Sequence, residues 1–171
     1  QHAPHPWTPP VYGAKTQYTP LDDVSPVLPP AQRTRIMEII GTLLFYARAI
    51  DNTMLVALNA LASQQATPTQ TTMDHIVHLL NYAATYPDAT VRFRASAMVL
   101  WVHSNASYLS EPPAKSRYGG FFYLSDKPPT AGPKTGDAQP TLNGPILAVT
   151  HILKEVVASA AEAELGALYN N

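Results

Sequence analysis

The feature that most restricts what this chain can fold into is a change of hydrophobic period at Tyr86–Pro87–Asp88–Ala89. Before it, apolar residues recur every three or four positions, the spacing of one face of a helix. After it they alternate or run continuously, the spacing of strands. Within 31–50, Ile36, Ile39, Ile40, Leu43, Leu44 and Ala47 form one apolar stripe that starts after the Pro29–Pro30 stop. Asp51 and Asn52 supply a break and a candidate N-cap. A second, shorter helix follows with Met54, Leu58 and Leu61 on one face. Past Pro68, Thr69 or Thr71 can cap a third helix whose stripe is Met73, Ile76, Val77, Leu80, Ala83 and Ala84. His75 and His78 share a face of that helix, but no third ligand accompanies them, so they read as surface histidines.

Beyond Ala89 the pattern becomes that of a sheet. "TVRFRA" sets Val91 and Phe93 against Arg92 and Arg94, as in a half-buried lead-in strand. "AMVLWVHS" is nearly continuous apolar, which suits a central strand covered on both faces. It runs into a small polar cluster, His103–Ser104–Asn105–Ala106–Ser107, where the strand is expected to end. "SRYGGFFYLS" reads as a further strand, with Gly119–Gly120 at a bulge or a close approach. The proline- and glycine-rich stretch 126–145 reads as a long loop and "ILAVTHIL" as the last strand. "EVVASAAEAELGALY" closes the pattern as a helix with a stripe through Val157, Ala161, Leu165 and Leu168. Consecutive strands followed by a helix predict an α+β fold, a partial antiparallel sheet with a packing helix, preceded by a helical segment. The expected divisions are an extended proline-rich lead (1–30), a helical segment (31–87) and the sheet region (88–171).

Composition narrows the function. A net charge of -1 with 13 % charged residues argues against a nucleic-acid binder that works by bulk charge. The absence of cysteine excludes disulfides, zinc–thiolate sites and thiol nucleophiles, and favours an intracellular origin. No apolar run reaches the roughly 18 residues of a membrane span, so no membrane partner is expected. Asn105-Ala106-Ser107 matches the short glycan-acceptor pattern, which matters only on a secretory route. His103 beside Ser104 or Ser107 does not make a nucleophile pair. Neighbouring strand residues point to opposite faces, and no elbow motif surrounds either serine.

The order of parts resembles a known family. "WVHSNASYLSEPPAKSRYGGFFYLS", then a strand, then "AAEAELGAL", is similar to the ribonuclease H domain of retroelement reverse transcriptases, most of all those of copia-type retrotransposons. In that family the first strand ends on an aspartate within an S-D-A-S/D motif. A second strand follows a glycine-containing turn, and a third leads into a helix with E-A-E-L/Y-x-A-L, whose second glutamate is catalytic. Upstream, "EIIGTLLFYARAIDNTMLVALNALASQ" resembles the helix after the polymerase palm, and "HIVHLLNYAATYPDATVRF" the helix before the ribonuclease H strand. The likeness covers residues 31–169, and the first thirty resemble the polymerase–connection linker.

The resemblance implies a ribonuclease H-like fold and inherited work on RNA–DNA hybrids by two-cation chemistry. It places Asn105 at the position of the first, metal-bridging aspartate and Glu164 at that of the helix glutamate. Ser107 and the 116–120 turn would lie near the hybrid backbone, with Lys115 and Arg117 as phosphate contacts. Mg²⁺ takes hard, charged oxygens, so a neutral Asn105 weakens the cage. The family's other two aspartates sit on elements that would follow Asn171. The chain is therefore expected to be a polyprotein fragment, a pseudoenzyme that does not hold Mg²⁺ alone, located in the cytoplasm or a virus-like particle. Without a further strand, the apolar first strand would be a sheet edge that pairs with another chain or drives homo-oligomerisation. The alternative is a decayed or domesticated element product that acts by self-assembly or binding.

Overall fold

A computed structural model of the chain describes residues 2–6, 23–111, 115–127 and 140–171. The lead at 7–22 and the loop at 128–139 lie outside them. The described residues fall into two units, Gln1–Thr90 with Leu109–Lys115, and Val91–Tyr108 with Ser116–Asn171.

The first unit is helical. Helix α1 (Pro30–Ala49) buries Ile36, Ile40 and Ala47. Asn52–Met54 forms a short 3-10 turn, and α2 (Leu55–Gln64) buries Leu55, Ala57, Leu58 and Leu61. Asp51 caps that turn as expected: its carboxylate accepts from the Thr53 N–H at 3.2 Å, and the Thr53 hydroxyl in turn lies 2.8 Å from that of Tyr82. Helix α3 (Gln70–Thr85) is capped by Thr69, whose hydroxyl accepts from the Thr72 N–H while the Thr72 hydroxyl accepts from the Thr69 N–H. The buried face of α3 is Thr72, Ile76, Leu79 and Tyr82, which corrects the expected stripe. Val77 and Leu80 point outward instead. A small turn of the helix axis lets Leu79 and the broad Tyr82 ring fill the core, where the alanines Ala83 and Ala84 could not.

Residues 23–28 are strapped across the start of α3. Leu28 N–H donates to Pro68 O and Gln70 N–H donates to Pro26 O, both at 2.9 Å, around a Val27–Thr69 bridge. The Asp23 carboxylate accepts from the Ser25 N–H at 3.0 Å, from the Thr71 hydroxyl at 3.1 Å, and from the hydroxyls of Ser25 and Thr69. The Ser25 oxygen accepts from the Thr71 N–H. Orphan donors at the helix start thus find partners in a segment far away in sequence.

The second unit is a three-stranded antiparallel sheet with one helix, so the chain is α+β. Strand β1 (Val99–Glu111), β2 (Lys115–Ser125) and β3 (Pro145–Ile152) lie in the order β1-β2-β3. Arg117 pairs with Ile152 and Gly120 with Val149, and the register shifts between Phe122 and Tyr123. Four expectations change here. "TVRFRA" forms no strand. Strand β1 is an edge among the described residues rather than a central strand, and Leu100 on it is 55 % exposed. It continues through the polar cluster to Glu111. Residues 116–120 run as strand within β2, not as a turn. The glycine pair marks a close approach: a Cβ on Gly120 would lie 2.3 Å from Asn171 Oδ1. The bulge falls just beyond the pair.

Helix α4 (Ala160–Asn170) starts later than its apolar run, after the cap Ser159. The Ser159 oxygen accepts from the Glu162 N–H at 3.2 Å, and Glu162 reaches back to accept from the Ala158 N–H at 2.7 Å. Its buried face is Ala163 and Ala167, not the Leu165–Leu168 stripe, and both leucines are 66 % exposed. Leu153 explains this rotation. A Cβ on Gly166 would lie 3.1 Å from Leu153 Cδ1, so only small residues let the helix come this close. Among the described residues, no helix is long and apolar enough to cross a membrane.

The strap yields a pH prediction. Hydrogen bonds from Ser25, then Thr69, hold the Asp23 carboxyl well below the usual carboxylate range. A carboxyl lowered in the folded state stabilises the fold above the unfolded value of about 4. That stabilisation fades as pH falls below this value towards the folded one. Asp23→Asn is therefore expected to lower the thermal midpoint at pH 7, with the gap to the parent closing between about pH 4 and pH 2. A gap that stays constant across that range would show that Asp23 is not the titrating group.

Candidate functional site

The family-like positions meet at the middle of β1. Asn105 sits within the strand with its side chain exposed, and no hydrogen bond holds that side chain among the described residues. The next residue, Ala106, donates its backbone N–H to Glu164 Oε2 at 3.0 Å. The carboxylate from the helix after the third strand therefore lies against the first strand, beside Asn105. That N–H is held by a side chain rather than by a neighbouring strand.

Three further contacts fix this junction. Tyr108 O–H donates to Ala158 O at 3.0 Å and ties β1 to the entry of α4. Asn171 Nδ2 donates to Ser104 Oγ at 2.8 Å and to Gly119 O at 3.0 Å, tying the other end of α4 to β1 and β2. The buried Asn171 Oδ1 finds no partner among the described residues. Both ends of α4 are thus anchored on either side of Glu164. Glu162, two residues earlier, is spent on its own helix cap.

The other candidates are placed separately. Ser107 donates its hydroxyl to Arg117 O at 3.3 Å, linking β1 to β2. The Arg117 guanidinium reaches Thr150 Oγ1 at 3.5 Å, so it leans along the sheet. Lys115, at the first position of β2, is exposed and belongs with the first unit. His103 turns to the fully buried Tyr123, with Nε2 and the phenol oxygen 3.0 Å apart and the rings edge to face. The imidazole is therefore engaged with a phenol and not with either serine. His78 Nε2 lies 2.9 Å from Ala3 O.

Sequence reasoning missed both residues that anchor α4, Tyr108 and Asn171, and the cap at its start. Tyr108 carries no signal that distinguishes it from any strand tyrosine. The Ser159-x-x-Glu162 spacing was visible, and it would have set the start of α4 and placed Glu162 on the backbone just ahead of the cap.

The donor set does not fit a magnesium cage. It offers one carboxylate, already accepting an N–H, and one neutral amide. Among the described residues no three histidine or acidic side chains converge on a point that could hold a metal. Mg²⁺ needs several charged or carbonyl oxygens in octahedral array, so no chemical step is routed through a metal here. Against protein-family models, curated proteins and solved structures, the chain finds no match.

The Glu164 contact predicts a graded response. Glu164→Gln keeps an oxygen that can accept the Ala106 N–H, whereas Glu164→Ala removes it. The alanine variant is expected to lose about 0.5–1 kcal/mol in urea unfolding and the glutamine variant less, since the pair is exposed. Equal losses would mean that the carboxylate is not holding the strand.

Proposed function

We propose that this chain is a ribonuclease H-like segment of a copia-type reverse transcriptase polyprotein, one that engages RNA–DNA hybrids without cutting them. The observation that carries this reading is the Glu164 carboxylate on the N–H beside Asn105. It joins the helix after the third strand, at the position where the family keeps its glutamate, to Ala106 of the first strand, next to the position of the first aspartate. The strand order β1-β2-β3 followed by α4 supports the same reading. With an amide at 105, the pair carries one negative charge instead of two. The amide is a poor bridge between divalent cations, so the inherited role left to the segment is binding.

Two assays on the pure chain test this. A labelled RNA–DNA hybrid should bind with strong salt dependence, as phosphate contacts require, and should remain uncut in Mg²⁺. Asn105→Asp should not restore cutting, because two carboxylates still fall short of a two-cation cage. Cleavage by either protein would refute the proposed incompetence, and failure to bind the hybrid at low salt would remove the functional reading.

The edge position of β1 favours a second role beside the first. Leu100 and Val102 are both exposed on a strand that is an edge among the described residues, and such edges seek a partner. Glu164 already occupies the edge at Ala106, so the open part is Val99–His103. Self-association through this stretch is expected as a concentration-dependent mass in analytical ultracentrifugation, abolished by Leu100→Lys with Val102→Lys. A parent protein monomeric at every concentration would exclude it.

A further inference from the structure

A few residues before β1, Arg92, Phe93 and Arg94 are all exposed, on a stretch that pairs with no strand among the described residues. Phe93 is 65 % exposed. The stretch is not loosely held. Gly144 N–H donates to Arg92 O at 3.0 Å. Asn143 uses its whole side-chain amide there: Oδ1 accepts from the Arg94 N–H at 2.7 Å, and Nδ2 donates to Arg94 O at 2.9 Å and to Leu124 O at 2.8 Å. The ring also has a seat. A Cβ on Gly144 would fall 3.0 Å from Phe93 Cδ1 and 2.7 Å from Val91 Cγ1, so the missing side chain makes room for the edge of the ring. Val91 and Phe93 thus lean on Gly144, and Arg92 and Arg94, the sequence neighbours of Phe93, are both exposed. Neither guanidinium has a carboxylate within ion-pair distance among the described residues, where the one ion pair is Arg35–Glu38.

The fold gains little from a phenyl ring left in water, yet the backbone beneath it is fixed by three hydrogen bonds, at Arg92 O, Arg94 N–H and Arg94 O. Two exposed arginines, without ion pairs among the described residues and adjacent in sequence to a seated, exposed ring, are the parts of a single-strand binding surface: cations for phosphates, and a flat face on which any base can stack. An acidic peptide would answer the charges but would leave the ring face unused. We propose that Arg92–Phe93–Arg94 is a contact for single-stranded nucleic acid, with the arginines on successive phosphates and a base on Phe93. The inference stands on this surface alone and does not depend on Asn105 or Glu164.

The test is fluorescence anisotropy of the full chain with labelled oligothymidylate and oligouridylate of about a dozen nucleotides over a range of salt. Binding should weaken with salt. Phe93→Ala should weaken it about tenfold with the salt slope unchanged, and Phe93→Trp should retain it. Arg92→Ala with Arg94→Ala should lower the log–log slope by about 1.4, at roughly 0.7 per phosphate on a single strand. Phe45→Ala, at an exposed ring on the first unit, should leave binding as it is. All these side chains are exposed, and circular dichroism checks that each variant is folded. The proposal is overturned if the parent does not bind at low salt or if Phe93→Ala binds as tightly as the parent. It is equally overturned if Phe45→Ala loses as much, or if polyglutamate competes as well as unlabelled oligonucleotide. Loss of hybrid binding with single-strand binding intact would count against the ribonuclease H reading and leave this one standing.

Discussion

The second unit depends on how closely α4 can approach the sheet. Leu153 presses into the space at Gly166, and Ala163 and Ala167 are buried beside it. Side chains larger than these would push the helix away. That approach sets the rotation of the helix, and the rotation turns Leu165, Leu168 and Tyr169 outward while bringing Glu164 to β1. Tyr108 at the entry of α4 and Asn171 at its exit then fix its height along the strand. The carboxylate meets the Ala106 N–H because a packing constraint put it there, since a single exposed hydrogen bond is too weak to orient a helix.

The same unit spends polar groups where backbone needs them. Asn143 closes four hydrogen bonds at the start of β3, including one from the Gly144 N–H, and so fixes a segment that has no ladder of its own. Glu162 and Ser159 satisfy the start of α4. In the first unit, Asp23, Ser25 and Thr69 do the equivalent work at the start of α3. In each case the donors or acceptors would otherwise be orphaned at the end of an element. Asn105 stands apart, because the backbone around it is held by others and its own amide is left exposed.

Much of the secondary structure was legible because period and punctuation agree with it. Pro29–Pro30 starts α1, Thr69 caps α3, and the runs around Trp101, Phe122 and Val149 become β1, β2 and β3. The misses have a common cause. Hydrophobic pattern counts apolar residues as buried, and so it chose Val77 and Leu80 on α3 and Leu165 and Leu168 on α4. The core instead took the residues whose size fitted, a tyrosine in one helix and two alanines in the other. "TVRFRA" alternates like a strand, but alternation cannot supply a neighbour for its backbone, and an asparagine distant in sequence took that place.

The sequence by itself determined the element order, the helical and sheet halves, and the two residues, Asn105 and Glu164, that the family pattern singles out. Those follow from local spacing and residue type. The tertiary structure alone decided which face of α4 is buried, that the first strand continues past Asn105, and that Arg92, Phe93 and Arg94 are all exposed. Each of these depends on how closely two surfaces can approach. That distance is set by the small residues at the contact, and linear spacing carries no record of which residues will meet.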